Sequence, residues 1–250
     1  MTRVSVELVP RSADALLADV QVVRDVLPQV RMLNIPDLTR FDLRSHDAAS
    51  LVMKQAPLEV IPHIRAIDIA PGAPLPGADR PELTTILVVA GDPPVAGSDR
   101  KTYPNTSAQI IERYRREAPH LKVYAVFDPY RHAPYRELED IARKRDAGAC
   151  GFFTQPLFDI PMLECCMDWL ADDTVFWGIS PVLGDKSRRY WERVNHVVFP
   201  RDYDGTLEGN IASARRMLGV IREKNDNAYL MPLKVDLASY LGALDDIITG

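Results

Sequence analysis

Glu7 is the first acidic residue along the chain that could do acid–base chemistry. It lies in the pattern VSVELV, whose alternation places the apolar side chains on one face and Ser5 and Glu7 on the other. Because the apolar face would pack against helices, Glu7 is expected to point into the interior of the fold. A carboxylate there is costly unless it is paired, or unless its pKa is raised and it works as an acid. A structural ion pair and a general acid are therefore both open interpretations.

Four further patterns place polar side chains at the ends of predicted strands or helices. Asp92 follows the apolar run TTILVVA in the turn GDPP, His63 lies at the end of LEVIPHI, and Gln155 follows GFFT. Arg143 and Lys144 close a predicted helix, where cations complement the helix dipole. Each of these residues could instead be purely structural. Asp92 could stabilise the turn, His63 could be a hydrogen-bonded residue of the core, and the two cations could simply be exposed to solvent. Gln155 has an amide that could read the donors and acceptors of a heterocycle.

Short apolar runs alternate with longer amphipathic segments along the chain. The runs predict strands at Arg3–Val9, Val30–Asn34, Leu58–Ile64, Thr84–Ala90, Val123–Phe127, Gly151–Thr154, Val175–Ile179 and Ala228–Leu233. The segments predict helices at Ala13–Asp25, Ser45–Lys54, Ser107–Glu117, Tyr135–Asp146, Ile160–Ala171, Asp185–Val194, Leu207–Glu223 and Val235–Ile248.

This alternation predicts a (β/α)₈ TIM barrel that occupies residues 1–250 as a single domain. Parallel strands need crossover connections, which the helices supply. Eight strands in 250 residues match the usual size of such a barrel. A doubly wound open sheet is the rival, but the chain has no glycine-rich phosphate loop of the kinds that such sheets use. In a barrel, the polar residues at the strand ends would meet at one face.

One crossover helix is expected to be missing. Between Asp68 and Pro81 the sequence IAPGAPLPGADRP contains prolines that a helix interior does not tolerate. We therefore expect a proline-rich loop at this crossover. Without a helix there, the loop is expected to expose the surface of the barrel to a partner subunit.

Composition excludes several classes of protein. The formal net charge of −5 argues against a nucleic-acid-binding surface. The three cysteines include an adjacent pair and form no disulfide framework or CxxC pattern, and the five histidines show no metal-type spacing, so no metal site is predicted. No apolar run is long enough for a membrane span, and the first residues lack the apolar stretch of a signal peptide. A cytoplasmic protein is expected.

Several segments, taken in order, resemble the methylenetetrahydrofolate reductase family. They are SVELVP near the start, PHI at 62–64, VVAGDPP at 88–94, RKRDAGACGFFTQPLFD at 143–159 and WGISPV at 177–182. The resemblance implies a flavin-dependent (β/α)₈ barrel that interconverts 5,10-methylenetetrahydrofolate and 5-methyltetrahydrofolate. Hydride passes between a nicotinamide dinucleotide and the folate by way of FAD. The family is usually oligomeric, so a homo-oligomer is expected.

The resemblance also implies roles for individual residues. Glu7 corresponds to the general acid toward the folate nitrogen, and Asp92 to the aspartate that stabilises the cationic iminium. Gln155 corresponds to a glutamine that contacts both flavin and folate, and Lys234 stands where the family has a residue that meets the folate glutamate. The positions expected to contact the cofactor are Asn34, His63, Ala90, Gly91, Asp92, Phe127, His132, Arg143 and Lys144.

Three of these positions depart from the family pattern. Ala90 stands where the family has a flavin-contacting arginine, Phe127 replaces a tyrosine, and Asn34 replaces a threonine. Each change removes a hydrogen bond or a charge that would hold FAD. Two alternatives therefore remain open: a flavin-free enzyme that handles folate, such as a methyltransferase, and a non-catalytic folate-binding subunit of a complex. The sequence does not distinguish NADH from NADPH, nor the physiological direction.

Overall fold

In the computed structural model, which describes residues 2–94 and 99–249, eight parallel strands close into one barrel in chain order. This confirms the predicted TIM barrel. The strands are β1 (Val4–Glu7), β2 (Met32–Ile35), β3 (Glu59–Arg65), β4 (Thr85–Val89), β5 (Lys122–Phe127), β6 (Phe152–Pro156), β7 (Val175–Ile179) and β8 (Asn227–Leu230). Pairing of β1 with β8, which joins Ser5 to Tyr229 and Val6 to Leu230, closes the barrel.

Helices surround the strands. Within the described residues they are α1 (Ala13–Val26), α2 (Ser45–Gln55), α3 (Ser107–Glu117), α4 (Pro134–Ala147), α5 (Ile160–Trp169), α6 (Gly184–Val194), α7 (Leu207–Glu223), α8 (Leu237–Gly242) and α9 (Asp245–Thr249). The last predicted helix, Val235–Ile248, is in fact two short helices, with the buried Leu244 between them. None of the helices in these ranges has the length and apolar character needed to cross a membrane.

The interior of the barrel is closed by aromatic rings. Tyr124, Phe153, Phe176 and Tyr229 come from four different strands and form one buried cluster. The rings of Phe153 and Phe176 stack with centroids 4.4 Å apart, and Tyr229 meets Phe153 edge-on at 5.1 Å. Such a filled interior is typical of TIM barrels, whose sites lie at the carboxyl ends of the strands. The cluster is therefore the floor on which a site at that end rests.

The proline-rich connection between β3 and β4 contains one 3-10 turn, Ala66–Asp68, and no α-helix, as predicted. It does not leave the barrel exposed, however. Leu75 is buried in the main core, and the Tyr114 hydroxyl of α3 donates a 2.7 Å hydrogen bond to the carbonyl oxygen of Pro76. Arg113 donates another to the carbonyl oxygen of Ala73 at 2.6 Å. The loop therefore covers the barrel in place of a helix, and the barrel surface is not exposed at this crossover.

Candidate functional site

A cavity of about 770 Å³ lies at the carboxyl ends of the strands, among the segments that follow β2 to β6. Its volume is within the range of pockets that take small molecules. Eight of the predicted site residues line it: His63, Ala90, Gly91, Asp92, His132, Arg143, Lys144 and Gln155. Residues more than 90 positions apart in sequence therefore meet at one site. The other four predicted residues, Glu7, Asn34, Phe127 and Lys234, are not among its lining residues.

Glu7 points into the barrel, as the alternation of β1 predicts. Its carboxylate accepts a hydrogen bond from the Tyr229 hydroxyl of β8. Burial raises the pKa of Glu7 from its ordinary value of 4.5 to about 7, and the hydrogen bond from Tyr229 only partly offsets that rise. No cation contributes to the shift, so the ion-pair interpretation is not supported in the described part of the chain. Near neutral pH this carboxyl group can both hold and release a proton.

Asn34 lies below the cavity and connects two strands to it. It is fully buried; its Oδ1 accepts a 2.5 Å hydrogen bond from Ser5, and its Nδ2 lies 3.1 Å from His63 Nε2. Burial lowers the pKa of His63 to about 3, so its ring is neutral at physiological pH. His63 therefore lines the cavity as an uncharged hydrogen-bonding group.

Arg65 is a cavity residue that the sequence analysis missed. The predicted strand ended at Ile64, whereas β3 continues to Arg65, two positions beyond His63 and on the same face. The Arg65 side chain is largely buried; its Nε donates to Asp68 at 2.9 Å and its Nη2 to the carbonyl oxygen of Asp92 at 2.7 Å. It thereby ties the turn after β4 to β3.

The turn after β4 carries Ala90, Gly91 and Asp92. Gly91 has φ of +88°, a conformation that favours glycine. A Cβ there would lie 2.9 Å from the Ile67 side chain and 3.2 Å from Arg65 Nη2, so the packing also requires glycine. Asp92 is exposed at the rim of the cavity, with its backbone held by Arg65. A carboxylate in this position can face a cation bound in the cavity.

The opposite rim is built by the start and the inner face of α4. His132 Nδ1 lies 2.5 Å from the buried carboxylate of Glu137. Lys144 is buried, donates to the carbonyl oxygen of Val126 at 2.7 Å and pairs with Asp140. This rim thus carries basic side chains, but the Lys144 ammonium group already binds other groups of the protein.

Phe127 and Lys234 lie elsewhere. Along β5 the alternation turns Val126 toward the cavity, so Phe127 faces outward and is fully buried in the core between strands and helices. This position does not support the predicted contact between Phe127 and a cofactor. Lys234 is exposed after β8, with its ammonium group 6.0 Å from the ring centre of Tyr190 in α6.

An aromatic cluster beside the mouth was not predicted either. Phe158, Phe199 and Tyr203 pack together, with centroid distances of 4.6 Å from Phe199 to each of the other two rings. Arg188 of α6 lies 5.3 Å above the Phe199 ring. Phe158 follows β6, whereas Phe199 and Tyr203 lie in the connection between α6 and α7, so the fold brings these segments together. Within the described ranges, no group of three or more metal-ligating side chains could hold a metal ion.

Comparison with known proteins supports the fold. No protein-family model matches the chain, and no curated protein matches its sequence. Among 160 matching chains of known structure is a triple mutant of Plasmodium falciparum HPPK-DHPS, crystallised with SDX-DHP. The TM-score is 0.59 at 10% sequence identity, and the match covers 100% of this chain and 47% of that chain. This chain thus spans about half the length of that protein, and the similarity at this identity concerns the barrel fold.

The raised pKa of Glu7 predicts a pH-dependent effect on stability. A carboxyl group whose pKa is higher in the folded state stabilises the fold below its unfolded pKa, and this contribution is lost as pH rises toward the folded pKa. Glu7→Gln removes the ionisation. From pH 4 to pH 8, the free energy of unfolding of this variant should therefore gain up to about 3 kcal/mol relative to wild type. Urea denaturation at several pH values measures the difference.

Glu112→Gln, the same substitution at an exposed position of α3, is the matched control. If the free energy of unfolding of Glu7→Gln shows no gain over wild type between pH 4 and pH 8, Glu7 ionises normally in the folded protein.

The position of Arg65 predicts that it holds the turn at 90–92 in place. The guanidinium group of Arg65 donates to Asp68 and to the Asp92 carbonyl oxygen at the same time. Arg65→Lys keeps the charge but replaces this planar group by an ammonium group, which cannot reproduce both hydrogen bonds. Loss of a charged hydrogen bond worth about 1.5–3 kcal/mol should speed amide hydrogen exchange in this turn by about tenfold or more. Mass spectrometry of the exchanged protein measures this. Arg136→Lys, at an exposed arginine on the other rim, is the matched control; equal exchange in both variants would contradict the role of Arg65.

Proposed function

We propose that this chain is an oxidoreductase that interconverts 5,10-methylenetetrahydrofolate and 5-methyltetrahydrofolate, with NAD(P)H or NAD(P)⁺ as co-substrate and FAD as cofactor. The observation that carries the proposal is Glu7, a carboxyl group with a pKa of about 7 on the inner face of the barrel. It occupies the position at which the resembled family has its general acid. A group with a pKa near the working pH is well suited to proton transfer.

In this proposal Glu7 donates its proton to the folate nitrogen as the five-membered ring opens to an iminium cation. Asp92, at the rim of the cavity, stabilises that cation electrostatically. Gln155 presents an amide with no side-chain partner in the described part of the chain, and it can bond the pterin ring. Tyr229 holds the Glu7 carboxyl group in position throughout. In the reverse direction, Glu7 accepts the proton back as the methyl group is oxidised.

The residues of the cavity fit a flavin. The volume of about 770 Å³ is sufficient for a large ligand, and His63, Gly91 and Gln155 present polar groups around it. At the rim, Arg143 and His132 are largely exposed and can bind the phosphates and the adenosine part of the cofactor. Lys144 is instead paired with Asp140. When bound, FAD would accept hydride from the nicotinamide and pass it to the folate. A homo-oligomer in the cytoplasm completes the proposal, on the basis of the resemblance and the cysteine content.

A flavin-free enzyme that handles folate is the second candidate. It is favoured by the side chains at two positions where the resembled family has polar groups for the flavin. Ala90 brings only a methyl group to the cavity, and Phe127 is buried away from it. Such an enzyme would bind folate at the same mouth of the barrel without a flavin.

The visible absorption spectrum of the purified protein, repeated after incubation with FAD and desalting, distinguishes the two candidates. The proposal predicts a flavin band close to one equivalent per chain after desalting. It also predicts that the band bleaches with NADH or NADPH under anaerobic conditions and returns on addition of 5,10-methylenetetrahydrofolate. Absence of a retained band, together with tight binding of 5-methyltetrahydrofolate, would contradict the flavin and leave the second candidate.

The proposed acid role of Glu7 predicts that the two half-reactions separate. Glu7→Gln should abolish reduction of the folate, which needs the proton, and leave reduction of the flavin by the nicotinamide within about twofold of wild type. Anaerobic stopped-flow absorbance measures both rates. Glu112→Gln should leave both unchanged. If the two half-reactions of Glu7→Gln fall together, Glu7 has a structural role rather than the role of an acid.

A further inference from the structure

Three polar side chains form a continuous buried chain across the first three strands. Ser5 lies on β1, Asn34 on β2 and His63 on β3, and all three face the barrel interior. Ser5 and Asn34 have no exposed surface, and His63 has 8%. Buried polar groups of this kind are stable only when their hydrogen-bonding capacity is matched, because an unmatched one costs about 1–3 kcal/mol.

The directions of the hydrogen bonds follow along this chain. The Ser5 hydroxyl donates to Asn34 Oδ1 at 2.5 Å, which turns the Asn34 Nδ2 toward the histidine ring. An amide NH₂ can only donate, so the His63 Nε2, 3.1 Å away, has to accept. A neutral imidazole carries one proton, and with Nε2 as acceptor that proton lies on Nδ1.

The other side of the ring faces the cavity. His63 is a lining residue, and its Nδ1 has no hydrogen-bond partner in the described part of the chain. Its backbone carbonyl is held separately by the Ser45 hydroxyl at 2.6 Å, which fixes the strand behind the ring. The His63 ring thus presents a single N–H donor to the cavity, in an orientation that the protein sets before any ligand binds.

We infer that Ser5 and Asn34 are positioning residues that hold His63 in the Nδ1–H tautomer, and that His63 donates this hydrogen bond to a carbonyl oxygen or ring nitrogen of a heterocycle bound in the cavity. The tautomer is inferred from the hydrogen bonds of Ser5 and Asn34, while the identity of the heterocycle, flavin or pterin, rests on the proposed function. Both ring systems carry such acceptors. A ligand without an acceptor at this point would leave the buried N–H unpaired and would bind more weakly.

Nitrogen NMR of the full-length protein, labelled with ¹⁵N at histidine, tests the tautomer at pH 7. Two-bond ¹H–¹⁵N correlation spectra distinguish a protonated Nδ1 from a protonated Nε2. The signal lost in His63→Gln identifies His63 among the five histidines. We expect protonated Nδ1 in the wild type. A protonated Nε2, or a fast mixture of tautomers, would overturn the inference.

Two variants test the roles of the positioning residues. Asn34→Asp places a carboxylate, which only accepts, opposite His63 Nε2, so the proton should move to Nε2 and the spectrum should reverse. Ser5→Ala frees the Asn34 amide to rotate and should give a mixture of His63 tautomers. This variant provides an independent test if Asn34→Asp folds poorly. A spectrum with protonated Nδ1 in both variants would show that Asn34 does not set the tautomer. His120→Gln, at an exposed histidine in the turn between α3 and β5, is the control and should leave the His63 signal unchanged.

The donor role is tested by adding FAD and 5-methyltetrahydrofolate separately to the labelled wild type, with binding followed independently by calorimetry. The ligand that lies on His63 should shift the Nδ1 resonance and its attached proton, which tells the flavin and the pterin apart. Binding of both ligands with no change at Nδ1 would overturn the donor role. Binding of neither would instead contradict the proposed function, and the ligand-free spectra would still decide the tautomer.

Discussion

The hydrogen bond between Tyr229 and Glu7 joins the last strand of the barrel to the first, and the proposed chemistry depends on it. A carboxyl group inside a closed barrel has either to find a cation or to remain protonated. Here it meets a hydroxyl group above a floor of aromatic rings, and burial raises its pKa to about 7. The pairing of β1 with β8 therefore does more than close the sheet, since it places Tyr229 where it positions the Glu7 carboxyl group, while burial keeps that group protonated.

The site is divided into an inner part and a rim with different electrostatics. In the inner part, burial favours the neutral form of His63, which lines the cavity, and it also favours the neutral form of Glu7 on the inner face of the barrel. At the rim, the charged groups are mostly paired with one another, as Arg65 is with Asp68 and Lys144 with Asp140. An uncharged heterocycle can therefore bind beside His63 without facing a fixed charge on that ring, and the charged groups of a cofactor or substrate can remain near the rim. A proton that moves inside such a site is little screened by water.

The barrel could be predicted because short apolar runs typical of strands alternate regularly with amphipathic segments typical of helices. The direction of Glu7 could be predicted because apolar and polar side chains alternate strictly along β1, which puts Glu7 on the face opposite the apolar one. It missed Arg65 because the predicted strand stopped one residue early, although the alternation from His63 already placed Arg65 inside. The resemblance suggested Phe127 as a contact, whereas the alternation of β5 turns it into the core. Tyr229 lies in an apolar run in which no local signal marks it, and its role depends on closure between residues more than 220 positions apart.

The most direct test is the titration of Glu7 itself. With glutamate labelled by ¹³C at the carboxyl carbon, and with Glu7→Gln to identify the signal, NMR follows the ionisation of this one group in the folded protein. The account predicts a midpoint near pH 7, and a still higher one in Tyr229→Phe, where the hydrogen bond that favours the carboxylate is lost. A midpoint near the ordinary value of 4.5 would show that Glu7 is ionised at neutral pH, and the proposed acid would be absent.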